Sequence, residues 1–206
     1  MRPVRLLSLN AGRSEPIEAK SGRSGIRKRP QDHPLRVTKE GLQDDAIVDR
    51  KHHGGADQAL YAYCQPDYDW WAGELGRPLA PGTFGENLTL EGIESADFAF
   101  GDQLQFDDLL LAVTSPRIPC VTLGVRMNDS TFPARFLKAG RPGPYFRVLT
   151  PGTLSAGATG QFRPFAGTRV PIVDTTFPGA TARLSAAKRA ALLDAPVHHR
   201  LRRDLT

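Results

Sequence analysis

Residues 109–120 read LLLAVTSPRIPC, an aliphatic stretch that runs into a short proline-rich turn and ends at a cysteine. Residues 109–115 have the length and the apolar character of a buried β-strand. Pro116 and Pro119 each fix a backbone φ angle, so the turn after the strand is held in one shape. We therefore predict a strand that carries Cys120 on a rigid loop.

The rest of the chain favours a mainly β fold with a few helices. Glycine and proline number 20 and 17 among the 206 residues, which suits short strands joined by tight turns. The spacing of the strands suits a barrel or a sandwich, whereas residues 11–34 form a long polar segment without sustained periodicity. Helices are predicted at residues 66–75, at 130–139 and between 181 and 194. Besides 109–115, strands are predicted at residues 4–9, 35–38, 59–63, 87–90, 103–106, 145–150 and 161–165.

The predicted domain organisation is one main domain over residues 1–167, followed by a linker and a small helical extension over residues 168–206. Pro171 and Pro178 break regular structure at the start of the extension. The predicted last helix follows them.

Several classes of protein are disfavoured by composition. The longest aliphatic stretch, residues 109–113, is too short to cross a membrane, and the first residues lack the apolar core of a signal peptide. Two cysteines cannot build a disulfide framework, so we expect a cytoplasmic protein. The net charge is +5, but residues 23–29 contain no aromatic side chains between their cations. Nucleic acid and membrane are therefore disfavoured as partners.

Cys120 is a candidate for chemistry. Arg117 stands three residues before it, and a nearby positive charge favours the thiolate, which ligates soft metals and attacks electrophiles. From local sequence alone, a packing role as a small apolar side chain is an equal alternative. Cys64 follows an apolar stretch without a charged neighbour, so we predict that it packs in the core.

Two glycine-bearing turns could approach a ligand. Residues 52–55 read HHGG, where the glycines permit positive φ angles and one histidine could contact a ligand. Asp57 could orient an imidazole, although capping a turn is its default role. Residues 84–87 read FGEN, and the Asn87 amide can hydrogen-bond to a ligand or to its own loop.

A basic loop could bind an anion. Residues 23–29 carry four cations around glycine and isoleucine, a composition that suits a phosphate or another oxyanion. A solvated surface is the more ordinary explanation of such a run. The four cations are Arg23, Arg27, Lys28 and Arg29.

Five motifs, taken in order, carry a resemblance that none of them carries alone. The motifs are Gly41-Leu42 with Asp45, His53-Gly54-Gly55 with Asp57, Phe84-Gly85-Glu86-Asn87-Leu88-Thr89, Gly101-Asp102, and Ser115-Pro116-Arg117-x-Pro119-Cys120. In order and spacing, residues 6–164 resemble the MOSC family, the domain found at the C-terminus of molybdenum cofactor sulfurases. The likeness is greatest to its stand-alone YiiM-like branch.

The resemblance implies a MOSC-type β-barrel core with a short C-terminal helical tail, and a pocket that holds the molybdenum cofactor, molybdopterin. It implies that Cys120 binds the metal or its sulfur, and that His53, Lys28 and Arg117 are the further catalytic residues. We also predict a set of cofactor-binding residues around Cys120, namely Gly54, Gly55, Asp57, Asn87 and Arg27.

Two positions depart from the family pattern. Asp44 stands where a glycine is expected, in a turn that needs a positive φ, and aspartate tolerates that conformation better than most residues. Ile47 stands where a polar residue is expected. The resemblance therefore predicts that the fold survives, while ligand contacts from this loop are less well specified.

The leading hypothesis is a molybdenum-dependent reductase of N-hydroxylated compounds such as hydroxylaminopurines. In this hypothesis His53 donates a proton to the leaving oxygen. The electrons come from an external partner protein, because two cysteines cannot hold an iron–sulfur cluster. One alternative is a carrier of the cofactor or its sulfur that turns over no substrate. Another is a hydrolase with Cys120 as nucleophile and His53 as base.

Overall fold

The computed structural model describes residues 1–49 and 54–206. Its strands are short and run through the whole chain. In chain order they are β1 (Arg2–Ala11), β2 (Glu15–Pro16), β3 (Arg23–Ser24), β4 (Arg29–Pro30), β5 (Leu35–Thr38), β6 (Gly41–Leu42), β7 (Leu60–Cys64), β8 (Leu88–Glu91), β9 (Gln103–Phe106), β10 (Leu109–Pro116), β11 (Pro144–Thr150), β12 (Gly152–Leu154) and β13 (Thr159–Arg163).

Seven of these strands close into a β-barrel in the order β13-β9-β10-β11-β7-β8-β1. The barrel is closed by the antiparallel pairing of β1 with β13, in which Arg2 lies opposite Phe162. Strands β7 and β8 are parallel, and the other neighbouring barrel strands are antiparallel. Closure pairs the strand edges with one another, which removes most of the unpaired backbone that an open sheet would expose.

Five α-helices are described. Gly76 and Gly140 end two of them in the left-handed conformation that glycine adopts without a steric penalty. The helices are α1 (Gln65–Leu75), α2 (Val121–Met127), α3 (Phe132–Ala139), α4 (Ala186–Asp194) and α5 (His199–Leu205).

The barrel interior is apolar because side chains alternate along its strands. In β9, Leu104 and Phe106 point inward and are buried, while Gln103 and Gln105 are partly exposed. Each fully buried side chain of this size stabilises the fold by about 1.5–3 kcal/mol relative to an exposed one. The interior is therefore the main source of stability.

A second, aromatic cluster packs between the outer face of the barrel and helices α1, α2 and α3. Tyr61 and Tyr63 point outward from β7 into this cluster, while Leu60 and Ala62 point into the barrel. The Tyr63 hydroxyl accepts a hydrogen bond from the Trp71 indole at 2.8 Å. The cluster comprises Ile17, Ile26, Tyr61, Tyr63, Tyr68, Trp71, Phe84, Leu123, Phe132, Phe136 and Tyr145.

The C-terminal extension packs on the barrel. Buried side chains of the extension, including Leu192 and Val197, belong to the same hydrophobic cluster as the barrel interior. Asp57 fastens the extension from the barrel side, because it accepts hydrogen bonds from the Arg147 Nε at 2.9 Å and from the His199 backbone N–H at 2.8 Å. The division at residue 167 into a domain and an extension stays a prediction.

The fold class predicted from sequence is confirmed. Strands β5 and β9 have the predicted bounds, and the other predicted strands begin and end within two residues of prediction. Helices α2 and α5 were not predicted, and the polar segment 11–34 contains three short strands. Among the described residues, no helix is both long and apolar enough to cross a membrane.

Candidate functional site

A pocket of about 760 Å³ opens beside Cys120, on the outer face of the barrel. The end of β10 and the turn to α2 form one side of it, through residues 115–122. Residues 19–21, 23–26, 28 and 45–49 form a second side. The third side comes from the C-terminal extension, through Thr175, Thr181, His198, Arg200, Leu201 and Asp204.

Cys120 is the residue immediately before α2, where it takes an extended backbone conformation. Its carbonyl accepts a hydrogen bond from the Leu123 N–H at 2.9 Å, and Leu123 is buried in the aromatic cluster. Ile118 and Val121 flank it and are 48% and 70% exposed. Cys120 is therefore anchored through its backbone at an apolar rim of the pocket. Cys64, by contrast, is fully buried in the barrel, where burial raises the pKa of its thiol well above the usual value.

Arg117 supplies a buried positive charge at the pocket. Its Nη1 donates to the Phe84 carbonyl at 2.8 Å, and its guanidinium lies over the Tyr61 ring at 4.9 Å from the centroid. Burial opposes the charge, but the neighbouring Tyr145, Tyr61, Cys120 and Glu86 raise the pKa of Arg117 above its ordinary value. Arg117 is thus a fixed cation that is electrostatically coupled to Cys120.

Two polar atoms on the pocket wall are buried without a hydrogen-bond partner among the described residues. They are the Ser115 Oγ and the Arg117 Nε, on residues that are 8% and 5% exposed. A buried polar group that stays unpaired costs about 1–3 kcal/mol, more for a charged one. Such groups in a pocket wall indicate a ligand that supplies the missing partner.

A β-bulge explains how Ser115 comes to face the pocket. Val113 lies opposite Phe146 and Ser115 lies opposite Tyr145, so Thr114 is an extra residue on β10. A bulge bends its strand and re-aims the side chains that follow. The apolar interior face of β10 therefore gives way at this point to a polar end.

Lys28 does not stand alone in the pocket. Its ammonium is ion-paired with the Asp45 carboxylate, and the two side chains are only 8% and 4% exposed. Asp45 also accepts from the Gly12 N–H at 2.8 Å and from the Asn87 amide at 2.9 Å. The Asn87 amide oxygen accepts from the Tyr61 N–H at 3.2 Å. Lys28 and Asn87 line the pocket, but their main polar contacts join the loops that form its wall.

Two positions in the pocket wall require glycine, because a side chain there would be strained and crowded. Gly54 has φ 78°, and a Cβ there would lie 2.9 Å from the Ile47 side chain. Gly85 also has φ 78°, and a Cβ there would lie 2.9 Å from Ile26. Asp44 has φ 62°, so the aspartate does adopt the conformation for which the family pattern uses glycine. Ile47 packs on Gly54, which gives this apolar departure a structural role.

Glu86 holds the second glycine turn from beneath. The residue is fully buried, and its Oε1 accepts from the Tyr68 hydroxyl and the Gly82 N–H, each at 2.6 Å. Burial raises the pKa of Glu86 despite these hydrogen bonds. The FGEN motif is thus fixed to α1, which explains why its glutamate is present although it does not line the pocket.

Four predicted site residues lie away from the pocket wall or outside the described residues. The Arg27 guanidinium faces Glu15 at 3.8 Å, and Gly55 caps a short 3-10 helix over Ala56–Gln58. Asp57 does orient an imidazole, but it is that of His199, whose Nδ1 lies 2.9 Å from the carboxylate. His53 lies outside the described residues.

Sequence reasoning missed Ser115 as a polar wall residue and missed the whole contribution of the extension. The pocket contains five cations, Lys20, Arg23, Lys28, Arg117 and Arg200, against the acids Asp45, Asp49 and Asp204 within the described ranges. This balance favours an anionic ligand. In the sequence, the basic loop over residues 23–29 had indicated such a ligand, and Arg23 and Lys28 of that loop do line the pocket.

The fold and the site together define a β-barrel protein with a thiol and several cations at one ligand pocket. A family model described as the MOSC domain matches residues 49–159. The chain belongs to this family, in its YiiM-like branch, and MOSC domains are generally associated with the molybdenum cofactor.

Individual relatives agree with this assignment. The chain is 36% identical over 155 residues to the uncharacterized protein YflK of Bacillus subtilis, covering 74% of this chain and 70% of YflK. It is 32% identical over 166 residues to a protein of Gibberella moniliformis named reductase, covering 77% of this chain and 29% of that protein. The crystal structure of YiiM from Geobacillus stearothermophilus superimposes with a TM-score of 0.80 at 28% identity, covering 98% of this chain and 97% of YiiM.

Proposed function

We propose that this protein binds the molybdenum cofactor in the pocket beside Cys120 and reduces N-hydroxylated small molecules there. The observation that supports it most is the pair of buried, unpartnered polar atoms, Ser115 Oγ and Arg117 Nε, in the wall of a pocket that also contains Cys120. A thiol beside a fixed cation suits a soft metal, and several cations suit the phosphate of a pterin. The residues present therefore fit the cofactor.

When bound, the molybdenum cofactor supplies two-electron redox chemistry. The Cys120 thiolate would ligate the metal, because the permanent charge of Arg117 favours the ionised thiol. Arg117 would hold an anionic group of the ligand through its Nε, and Ser115 would accept or donate a hydrogen bond beside it. Reduction of an N–OH group to N–H consumes two electrons and two protons and releases water. The electrons would come from an external electron-transfer protein.

The central experiment compares the two cysteines. Wild-type protein, Cys120→Ala and Cys64→Ala are produced in a molybdenum-replete host, and molybdenum is measured by elemental analysis. We expect stoichiometric metal in the wild type and in Cys64→Ala, but background metal in Cys120→Ala. Metal-free wild-type protein, or equal metal in Cys120→Ala, would contradict the proposal.

Turnover is tested separately with a reduced external electron donor and a hydroxylaminopurine as substrate. We expect substrate loss with the wild type and at least about 100-fold less with Cys120→Ala, since a missing metal ligand removes the chemistry. Bound molybdenum without any substrate loss would identify a carrier of the cofactor instead of a reductase.

A further inference from the structure

The bulge on β10 also provides the attachment point for the C-terminal extension. The carbonyl of the extra residue, Thr114, accepts a hydrogen bond from the His198 backbone N–H at 2.9 Å. Ser115, the next residue, carries one of the unpartnered polar atoms of the pocket wall. The attachment therefore places His198 beside the polar end of β10.

The His198 ring is held in one orientation. It is only 5% exposed, it lines the pocket, and it stacks on the His199 ring with centroids 4.3 Å apart. Its Nδ1 accepts a hydrogen bond from the Arg200 N–H at 3.0 Å. A neutral imidazole that accepts at Nδ1 carries its proton on Nε2. The Nε2 N–H is thus the ring's one hydrogen-bond donor, on a residue that lines the pocket.

His198 stays neutral at physiological pH. Burial and the neighbouring His199 lower the pKa of the His198 ring to about 4. The ring is therefore a fixed N–H donor and a poor proton donor in the sense of general acid catalysis.

Asp57 and His199 hold this donor in place. The Asp57 carboxylate binds the Arg147 guanidinium on the barrel and both the backbone N–H and the Nδ1 of His199 on α5. Asp57, His198 and His199 bring three ligand-type atoms within 4.8 Å of one another. Because the Asp57 carboxylate already binds Arg147 and His199, the cluster holds α5 against the barrel.

We propose that His198 donates a hydrogen bond from its Nε2 to an acceptor atom of the ligand held beside Cys120, so that the C-terminal extension completes the pocket. Asp57 and His199 are positioning residues for this contact. The inference rests on the proposed function, and its ligand is the pterin part of the cofactor or a substrate bound next to it. The pterin provides a direct probe.

Two substitutions separate the two roles of His198. In His198→Asn the shorter amide can still accept from the Arg200 N–H, because asparagine is a favoured helix N-cap, but it has no donor at the Nε2 position. In His198→Gln the longer amide places a donor near the Nε2 position and loses the cap. His33→Asn, at an exposed histidine paired with Asp32, is the matched control.

The measurement is the rate at which pterin leaves the protein purified from a molybdenum-replete host, followed by pterin fluorescence after dilution. We expect release about 10-fold faster for His198→Asn, since a lost hydrogen bond to a ligand costs about one factor of ten. For His198→Gln and His33→Asn we expect release within about threefold of the wild type. Limited proteolysis of the extension checks that α5 stays docked in His198→Asn.

The outcomes are distinguishable. Wild-type release by His198→Asn overturns the inference and leaves the proposed function intact. Fast release that occurs only together with proteolysis of the extension assigns His198 a structural role alone and also overturns it. Wild-type protein that contains no pterin overturns the proposed function, and this inference with it.

Discussion

The two halves of strand β10 lie in opposite environments. Leu109, Leu111 and Val113 belong to the apolar cluster inside the barrel. Ser115, near the end of the strand, and Arg117, just after it, present buried polar atoms that lack partners among the described residues. The first half contributes to stability, and the second half gives up stability to keep polar groups available. A single β-bulge separates the two, so the same strand both holds the fold together and forms the binding wall.

The largest effect is expected in the first half. Leu111→Ala should lower the free energy of unfolding by about 3 kcal/mol, because it removes a fully buried side chain and leaves a cavity in the barrel. Chemical denaturation followed by tryptophan fluorescence measures this change. A loss below about 1 kcal/mol would mean that the barrel interior is not the stabilising half.

A slightly smaller effect is expected where the pocket wall is held together by charge. Asp45→Asn should cost about 2–3 kcal/mol, because it leaves the buried Lys28 ammonium without its counter-ion. The double variant with Lys28→Met should recover most of that loss, since the unpaired charge is then gone. Denaturation of all three variants measures the coupling, and additive losses would show that the ion pair is not buried in solution.

Lowering the pH should reduce the free energy of unfolding by about 2 kcal/mol through the protonation of His198. The charged or titratable groups facing its ring are His199, Asp57, Arg200 and Arg147. An unfolded histidine has a pKa near 6.5, and the folded pKa of His198 is lowered to about 4, so the unfolded chain binds more protons between these values. The stability that depends on a neutral His198 is fully present above about pH 6.5 and is lost as the pH falls toward 4.

The test compares unfolding free energies at pH 7 and pH 4.5 for the wild type and for His198→Asn. The wild type should lose about 2 kcal/mol more than the variant over this interval. Equal losses would show that His198 titrates normally in the folded protein.

The smallest effect on stability is expected at the polar end of β10. Ser115→Ala should change the free energy of unfolding by less than about 0.5 kcal/mol, or increase it, because it removes a buried group that has no partner among the described residues. Denaturation of the variant beside Leu111→Ala gives the direct contrast. A loss above 1 kcal/mol would mean that Ser115 has a partner within the folded protein.

Structure that follows from a local sequence pattern was predicted, whereas structure that depends on distant contacts was not. Strand β9 is predicted to the residue, because alternation of polar and apolar side chains is a local pattern. Helix α2 was missed because β-branched residues and a glycine dominate its first turns, and its formation depends on Leu123 packing into the aromatic cluster.

The candidate site was likewise predictable from the sequence only in part. The prediction that Cys120 lies in a pocket came from five motifs taken together between Gly41 and Cys120, because the sequence next to the cysteine left a packing role equally open. The pairing of Lys28 with Asp45 joins two loops, so a cation predicted to face a ligand turned out to be neutralised. The position of His198 depends on a carbonyl that a bulge makes available, and no local pattern records that.

The pairing of β1 with β13 has a consequence for how the chain reaches its fold. The barrel closes only when β13 pairs with β1, which brings Phe162 opposite Arg2. Residues so far apart in sequence pair slowly, because closing the long intervening loop costs conformational entropy. Until then β1 and β9 each expose an unpaired edge that can associate with other chains. Nascent chains that have not yet emerged past residue 163 should therefore depend on chaperones, whereas a completed barrel should not.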